Sequence, residues 1–362
     1  MFTQKKASWL SLTLVAIVLL AACATPTPQV IVQTQVVRET QVVRETQVVE
    51  VEVTQVVEVT REPLVIRVAY PSIVDLGDIP SIMAHALLAE QGYSVVPTFY
   101  AQSELATQAV ASGDAHFSNG ADRTIWAAVA QGANILTIMD QEANGWSVYA
   151  IPEIQTCADL GGKRFAQHSE GSVSYAMSKA YLKENCPGIE PLILIVPGSE
   201  NRRAALLAGE IDATPVELAD AIQIELAAPG QYHLLTNFAK DVPKLKTTAV
   251  YVNGDFAAQH PEVVKDYIKA ILTVHRQIKE NPDLLIEEAS KWLAIDPAVL
   301  PMIVEAYFAV NAWDVNGGLD EEAVQYSIDF FTEAGTLEPG LTVEKVADLS
   351  FLNAVLDEIG RK

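Results

Sequence analysis

The residues best equipped for chemistry stand just after short apolar runs: Tyr70, Ser72, Asp75 and Asp78; Tyr100 and Gln102; Asn119 and Asp122; Trp146; Ser169, Gly171 and Ser172; Glu217; and Asn253. Aromatics, hydroxyls, amides and carboxylates predominate, and cations are few. Such a set stacks on a flat ring and exchanges hydrogen bonds with it, so it suits a neutral, flat solute better than an oxyanion. Tyr70, Tyr100, Trp126 and Trp146 can wall a ring, although Trp126 lies inside a helical stretch and reads equally as core. Asp75, Asp78, Asn119 and Asp122 can accept from hydroxyls. Ser169-Glu170-Gly171-Ser172 opens a helix, where free backbone N–H groups can hold a carbonyl or hydroxyl oxygen; Ser172 reads equally as a plain N-cap.

Covalent chemistry finds no footing. Gly161-Gly162-Lys163-Arg164 lacks the leading glycine and the hydroxyl residue of a P-loop, and no Gly-x-Ser-x-Gly elbow occurs. His85, His116, His168, His233, His260 and His275 are scattered, with no His-Glu-x-x-His or Cys-x-x-Cys pair to suggest a metal site. The expectation is a chain without cofactor, metal or enzymatic activity.

The elements that must position these residues alternate. Strands are expected at 65–69, 95–99, 115–117 and 135–139, with helices at 81–91, 104–111 and 123–131 between them. The pattern restarts after 151 with strands at 164–166, 192–196 and 213–216 and helices at 172–184 and 201–208. A return strand follows at 248–252, and beyond His260 the chain is almost wholly helical, through 262–280, 283–293, 300–310 and 321–334. Alternation of this kind predicts an α/β fold of mostly parallel sheets, here in two lobes with a helical C-terminal addition to the first. In open α/β sheets ligands lie beyond the carboxyl ends of the strands, which is why the residues following each strand are singled out.

The 362 residues carry 24 basic against 46 acidic side chains, a net charge of −22, which argues against a nucleic-acid partner. Residues 1–22 read as a secretory signal, with Lys5 and Lys6 ahead of an apolar run from Leu10 to Leu20. Leu20-Ala21-Ala22-Cys23 resembles a bacterial lipobox, so Cys23 is the expected lipidation site and the extracytoplasmic face of the cell membrane the expected location. Residues 23–64 are a low-complexity stalk, in which Gln-Val-Val-Arg-Glu-Thr occurs at 35–40 and again at 41–46; it reads as a tether, with β-branched content that also permits strands. Beyond Cys23 only Cys157 and Cys186 remain, both in the second lobe; in an exported chain they either bond or stay as separate thiols.

Three further motifs carry a resemblance: Ala111-Ser112-Gly113-Asp114-Ala115, Asp159-Leu160-Gly161-Gly162-Lys163-Arg164, and Ala208-Gly209-Glu210-Ile211-Asp212-Ala213. With the lipobox, stalk and lobes, they make the chain similar to the solute-binding lipoproteins of bacterial ABC importers, in the branch that includes nitrate, sulfonate and thiamine-precursor binders. Pro197-Gly198-Ser199-Glu200-Asn201-Arg202 and Trp313-Asp314-Val315-Asn316-Gly317-Gly318 most resemble riboflavin-binding components, and the loop 74–80 lacks the pattern of pyrimidine binders. The resemblance implies a bilobed periplasmic-binding-protein fold, with lobe 1 at 65–150 and 248–362 and lobe 2 at 151–247. It also implies a monomer that carries riboflavin to a membrane permease driven by a separate ATPase subunit. Alternative cargoes are a thiamine pyrimidine precursor or another flat heterocycle. An alternative of another class is an enzyme like the thiamine-pyrimidine synthases, whose closely spaced cysteines this chain lacks. A sensor or scaffold lipoprotein would use the same lobes.

Overall fold

The computed structural model describes the strands β1 (Val32–Val42) and β2 (Val48–Glu58) and residues 63–362. The signal segment and Cys23 lie outside the described residues. Within the low-complexity stretch β1 and β2 pair antiparallel, Val37 opposite Val53, and form a unit of their own.

From residue 62 onward the chain forms a second unit built on two five-stranded sheets. The first contains β3 (Leu64–Tyr70), β4 (Tyr93–Phe99), β5 (Phe117–Ala121) and β6 (Ile135–Glu142). The second contains β7 (Ser147–Ala150), β8 (Arg164–Gln167), β9 (Leu192–Ile195), β10 (Ala213–Val216) and β11 (His233–Asn237). The chain then returns to the first sheet as β12 (Thr248–Asn253). Strand orders are β4-β3-β5-β12-β6 and β11-β7-β10-β8-β9. Because β7 already pairs with β10 and β11, the first crossing between sheets lies at 143–146, ahead of the boundary at 151 expected from the sequence. The fold is thus a bilobed α/β architecture with a helical C-terminal region.

Each sheet is covered by amphipathic helices whose buried residues recur at three- and four-residue spacing. The helix Pro261–Glu280 shows it best: Val264, Tyr267, Ile268, Ile271, Val274, His275 and Ile278 are buried, and proline occupies its first turn, where no intrahelical N–H partner is needed. It packs on the helix Ile79–Glu90, and its Tyr267 stacks on Phe117 of β5.

Two of the motifs that carry the resemblance are helix-to-strand turns, one in each lobe. Gly113 ends the helix Ser103–Ser112 at a φ of 80°, and Arg67 of β3 donates from Nη2 to the Gly113 carbonyl at 3.0 Å. In the second lobe Gly209 has a φ of 71°, and Arg164 of β8 donates to its carbonyl at 2.9 Å and to the Asp212 carboxylate at 2.6 Å. In both places an arginine on the first parallel strand grips the turn that feeds the neighbouring strand, and glycine supplies the left-handed backbone. The Trp313–Gly318 segment also has a packing role: Trp313 stacks on Tyr307, and the Gly317 carbonyl accepts from the Asp140 N–H.

Cys157 and Cys186 are bonded to each other, tying the turn before β8 to the end of the helix Val173–Asn185. Closing a loop across a separation of 29 residues removes denatured-state entropy worth roughly 3–4 kcal/mol. The double variant Cys157→Ser/Cys186→Ser is therefore expected to melt at a clearly lower temperature than the parent, and the parent to fall to the same level when reduced. Equal melting curves would show that the bond contributes nothing to stability.

Candidate functional site

Between the lobes lies a cleft lined from both sides. The first lobe lines it with Pro71, Ser72, Asp75, Asp78, Asn119, Gln141, Glu142 and Thr248; the second contributes His168, Ser172, Ser174, Ser199, Glu200, Arg202 and Glu217, with Trp146 standing at the crossing.

Seven of the residues expected from the sequence meet here: Ser72, Asp75, Asp78, Asn119, Trp146, Ser172 and Glu217. The others do not, and each has a physical reason. Tyr70 is wholly buried, hydrogen-bonded to His85 Nε2 at 3.2 Å and stacked on Phe99. Tyr100 packs against the hydrophobic core, and Gln102 occupies the N-cap position of the helix Ser103–Ser112. Asp122 is buried beneath β12, where the Tyr251 hydroxyl donates to its Oδ1. Trp126 is core, its Nε1 donating to Thr137 Oγ1 at 3.1 Å. Ser169 and Gly171 are already engaged: the Glu104 carboxylate accepts from Ser169 Oγ at 2.9 Å and from the Gly171 N–H at 2.7 Å. Asn253 caps the helix Gly254–Gln259 and donates to the Val110 carbonyl. Since β12 runs antiparallel to β5, Thr248 pairs with Ala121 at the cleft while the Asn253 end of β12 lies at the far edge of the sheet.

The residues the sequence reading missed carry most of the polarity. Gln141 and Glu142 continue β6 two turns of the pleat beyond the apolar run, and Gln141 donates to Asp78 Oδ1 at 2.9 Å. Gly77 leaves the room that the Glu142 carboxylate occupies, since a Cβ there would sit 2.4 Å from it and the carboxylate would have to move. His168 directly follows β8, so the strand-end rule itself pointed to it. Its Nδ1 accepts from the Gly198 N–H at 3.1 Å, leaving the proton on Nε2, which has no partner. Burial pushes this imidazole down to about 4, so it is neutral at pH 7. Arg202 is fully buried and donates to the carbonyls of Pro215, Val196 and Gly198, while Nη2 stays unpaired. Its guanidinium lies over the Trp146 ring, 5.8 Å from the centroid. Asn119 is 1% exposed, and neither its amide nitrogen nor its oxygen has a partner.

Electrostatically the cleft is acidic. Burial raises the Asp75 carboxyl to about 6, with Glu200 and Asp220 adding to the effect. Burial likewise lifts Asp78, Glu142 and Glu217 well above the usual carboxylate range, reinforced by the neighbouring carboxylates. Arg203 is committed to Asp220 at 2.8 Å. An anion would meet this wall with repulsion, whereas hydroxyl and amine donors would be accepted. Among the described residues no group of three His, Cys, Asp or Glu side chains is arranged to hold a metal ion.

Contacts between the lobes frame the cleft. Glu104 reaches across to Ser169 and Gly171, and the Gly171 carbonyl accepts from Arg123 Nη1 at 3.0 Å and Thr124 Oγ1 at 2.7 Å. Glu104→Ala should therefore loosen this latch, seen as faster amide exchange at 169–172 with little change elsewhere; unaltered exchange would show that the other contacts suffice. For Asp75 the sign of the pH effect is fixed. Below its ordinary value of 3.8 the carboxyl is protonated in both states. As pH rises through about 6 the unfolded chain ionises first, and stability is lost by an amount on the order of 3 kcal/mol. Asp75→Asn is expected to gain melting temperature over the parent at pH 8 and to match it near pH 4. A difference independent of pH would contradict the raised carboxyl.

Residues 85–284 match the family described as NMT1/THI5 like. No curated protein sequence matches the chain. Among solved structures, the chain is similar to the ligand-binding component of an ABC-type import system from Staphylococcus aureus with zinc bound, at 14% identity over 81% of this chain and 99% of that one, with a TM-score of 0.67. It is also similar to the alkanesulfonate-binding protein SsuA from Xanthomonas axonopodis pv. citri bound to MOPS (19% identity, 79% of this chain, 99% of that chain, TM-score 0.63). The periplasmic nitrate-binding protein NrtA from Synechocystis PCC 6803 is a third (12% identity, 83% and 90% covered, TM-score 0.64). At such identities the likeness is one of fold, that of the bilobed periplasmic binding proteins. The family match covers more than half of the sequence, and the protein belongs to the NMT1/THI5-like family.

Proposed function

We propose that this protein is the solute-binding component of an ABC import system, capturing a flat, donor-rich heterocycle between its lobes, with riboflavin as the cargo. One observation carries the binding reading: Asn119 on the first lobe and His168 and Arg202 on the second turn buried, unpartnered polar atoms toward one cleft. Leaving such groups unpaired is costly, and a ligand that bonds to both lobes would satisfy them together. The solved structures of the same fold support the importer role, and a permease and a separate ATPase would be its partners. Lipid attachment at Cys23 would hold it at the extracytoplasmic face of the membrane.

For riboflavin, the support is the supply of acceptors. Asp75, Asp78, Glu142 and Glu217 can take hydrogen bonds from the ribityl hydroxyls. A protonated aminopyrimidine of the thiamine-precursor class is the second reading, favoured by the excess of carboxylates over cations in the cleft. An enzymatic role has little to work with. Ser172, Ser174 and Ser199 line the cleft, but His168 accepts from the Gly198 N–H through Nδ1 and so has no free lone pair with which to activate them. The only cysteines beyond Cys23 are bonded to each other.

Titration of riboflavin into the protein should quench flavin fluorescence saturably, near one ligand per chain. Glu217→Ala is expected to weaken riboflavin about tenfold, the cost of a hydrogen bond lost at a buried group, and to affect lumichrome, which lacks the ribityl chain, much less. Absence of quenching by a folded protein, with a rise in melting temperature on adding an aminopyrimidine, would replace riboflavin by the second cargo.

A further inference from the structure

A second chamber adjoins the cleft on its outer side, with about 690 Å³ of space free of protein atoms. The two share Asp75, Glu200 and Glu217 as a common wall. Ile73, Val74, Trp292, Leu293 and Ile295 line the outer chamber beside the polar Arg203, Asp220 and Gln223, whereas large apolar side chains are few in the inner cleft. Trp292 is the last residue of the helix Asp283–Trp292, anchored by its Nε1 donating to Glu288 Oε1 at 2.9 Å. It nevertheless keeps 44% of its surface open, and Ile73 keeps 54%. Trp146, which lines the inner cleft, is in the opposite condition: it is 7% exposed and carries the Arg202 guanidinium over its ring. Little of Trp146 is left for a ligand to stack on, while Trp292 offers a large apolar face beside the acceptors.

We propose that the outer chamber is the seat of the ligand's flat aromatic ring, stacked on Trp292. The hydroxyl-bearing or amine-bearing tail runs inward past Asp75, Glu200 and Glu217 to Asn119, His168 and Arg202. The ligand class is an elongated one, an apolar ring at one end and a chain of hydrogen-bonding groups at the other. Polarity is matched along its whole length: ring against apolar side chains, donors against carboxylates, and the terminal polar group against the unpartnered atoms. The buried, unpaired Glu200 Oε1 stands in the shared wall, where a passing donor would bond to it. This inference rests on the solute-binding reading and assigns its two ends, placing the aromatic contact at a residue of the C-terminal helical region instead of at Trp146.

The test uses the full chain and prodan, a neutral naphthalene fluorophore whose emission moves to the blue in an apolar site. Saturable binding is expected, weakened about tenfold, roughly 1.4 kcal/mol, by Trp292→Ala, largely retained by Trp292→Phe, and weakened less by Trp146→Ala than by Trp292→Ala. No saturable binding, indifference to Trp292→Ala, or a larger loss from Trp146→Ala would each overturn the assignment. Riboflavin titrated in parallel separates the two proposals. If riboflavin does not quench but prodan depends on Trp292, the flavin cargo falls and the ring seat stands. If riboflavin quenches equally well in Trp292→Ala, the cargo stands and the ring seat falls.

Discussion

Glu104 sits in the first turn of a helix in one lobe and holds the opening of a helix in the other. Its two carboxylate oxygens take the Ser169 hydroxyl and the Gly171 N–H, and the Gly171 carbonyl is held in return by Arg123 and Thr124. A carboxylate on free N–H groups at a helix start is a strong, charge-assisted arrangement. Here it adds to a hydrophobic core that runs across both lobes, Val110 and Tyr251 of the first clustering with Phe165 and Met177 of the second. A Cβ on Gly171 would sit 2.2 Å from the Glu104 carboxylate and would displace it from this contact.

Once the lobes are together, the chemistry of the cleft follows from what each strand end delivers. Asp75 caps a short 3-10 turn, accepting the Asp78 N–H at 3.2 Å, and Asp78 is steadied by Gln141 of β6. Glu142 enters through the gap left by Gly77. From the other side come Glu200 and Glu217, the latter next to Ser199, whose hydroxyl oxygen accepts the Glu217 N–H. Collected in a space with little water, these carboxyls hold their protons to higher pH than free acids do. Arg202 offsets them only in part: its bonds run to backbone carbonyls, but its charge draws the Glu200 and Glu217 carboxyls back down. The cleft is therefore set up to accept hydrogen bonds along one wall and to donate them from His168 and Arg202 on another. That asymmetry suits a ligand with a direction to it, and the apolar outer chamber extends the same gradient.

Much of the lobe architecture was legible from residue pattern. Apolar runs of four to seven residues separated by helical periodicity mark both sheets, and glycine turns at Gly113 and Gly209 mark the hand-over from helix to strand. Half of the residues expected at the site line the cleft, because the rule that ligands sit beyond strand ends needs only the ends. Ser72, Asp75 and Asp78 follow β3, while Asn119 lies within β5. The rule failed where a strand ran longer than its apolar stretch, as at Gln141 and Glu142, or where a polar residue next to a strand was already spoken for, as at Ser169.

What the sequence determines by itself is local: which segments bury one face, where helices stop, and which polar side chains stand beside those stops. Spacing and side-chain type suffice for this, since neighbours along the chain decide it. What only the tertiary structure decides is direction and company. The antiparallel course of β12 puts Thr248 at the cleft and Asn253 at the opposite edge, although residue type alone would favour the asparagine. Ser169 and Gly171 lose their free donors to Glu104, a residue 65 positions before Ser169. Trp292, from the C-terminal helices, shares a pocket with Ile73, Glu200 and Glu217, all far from it along the chain. Strand direction, partner choice and approach across lobes are set by which distant surfaces bury best together, and no window of sequence contains both surfaces.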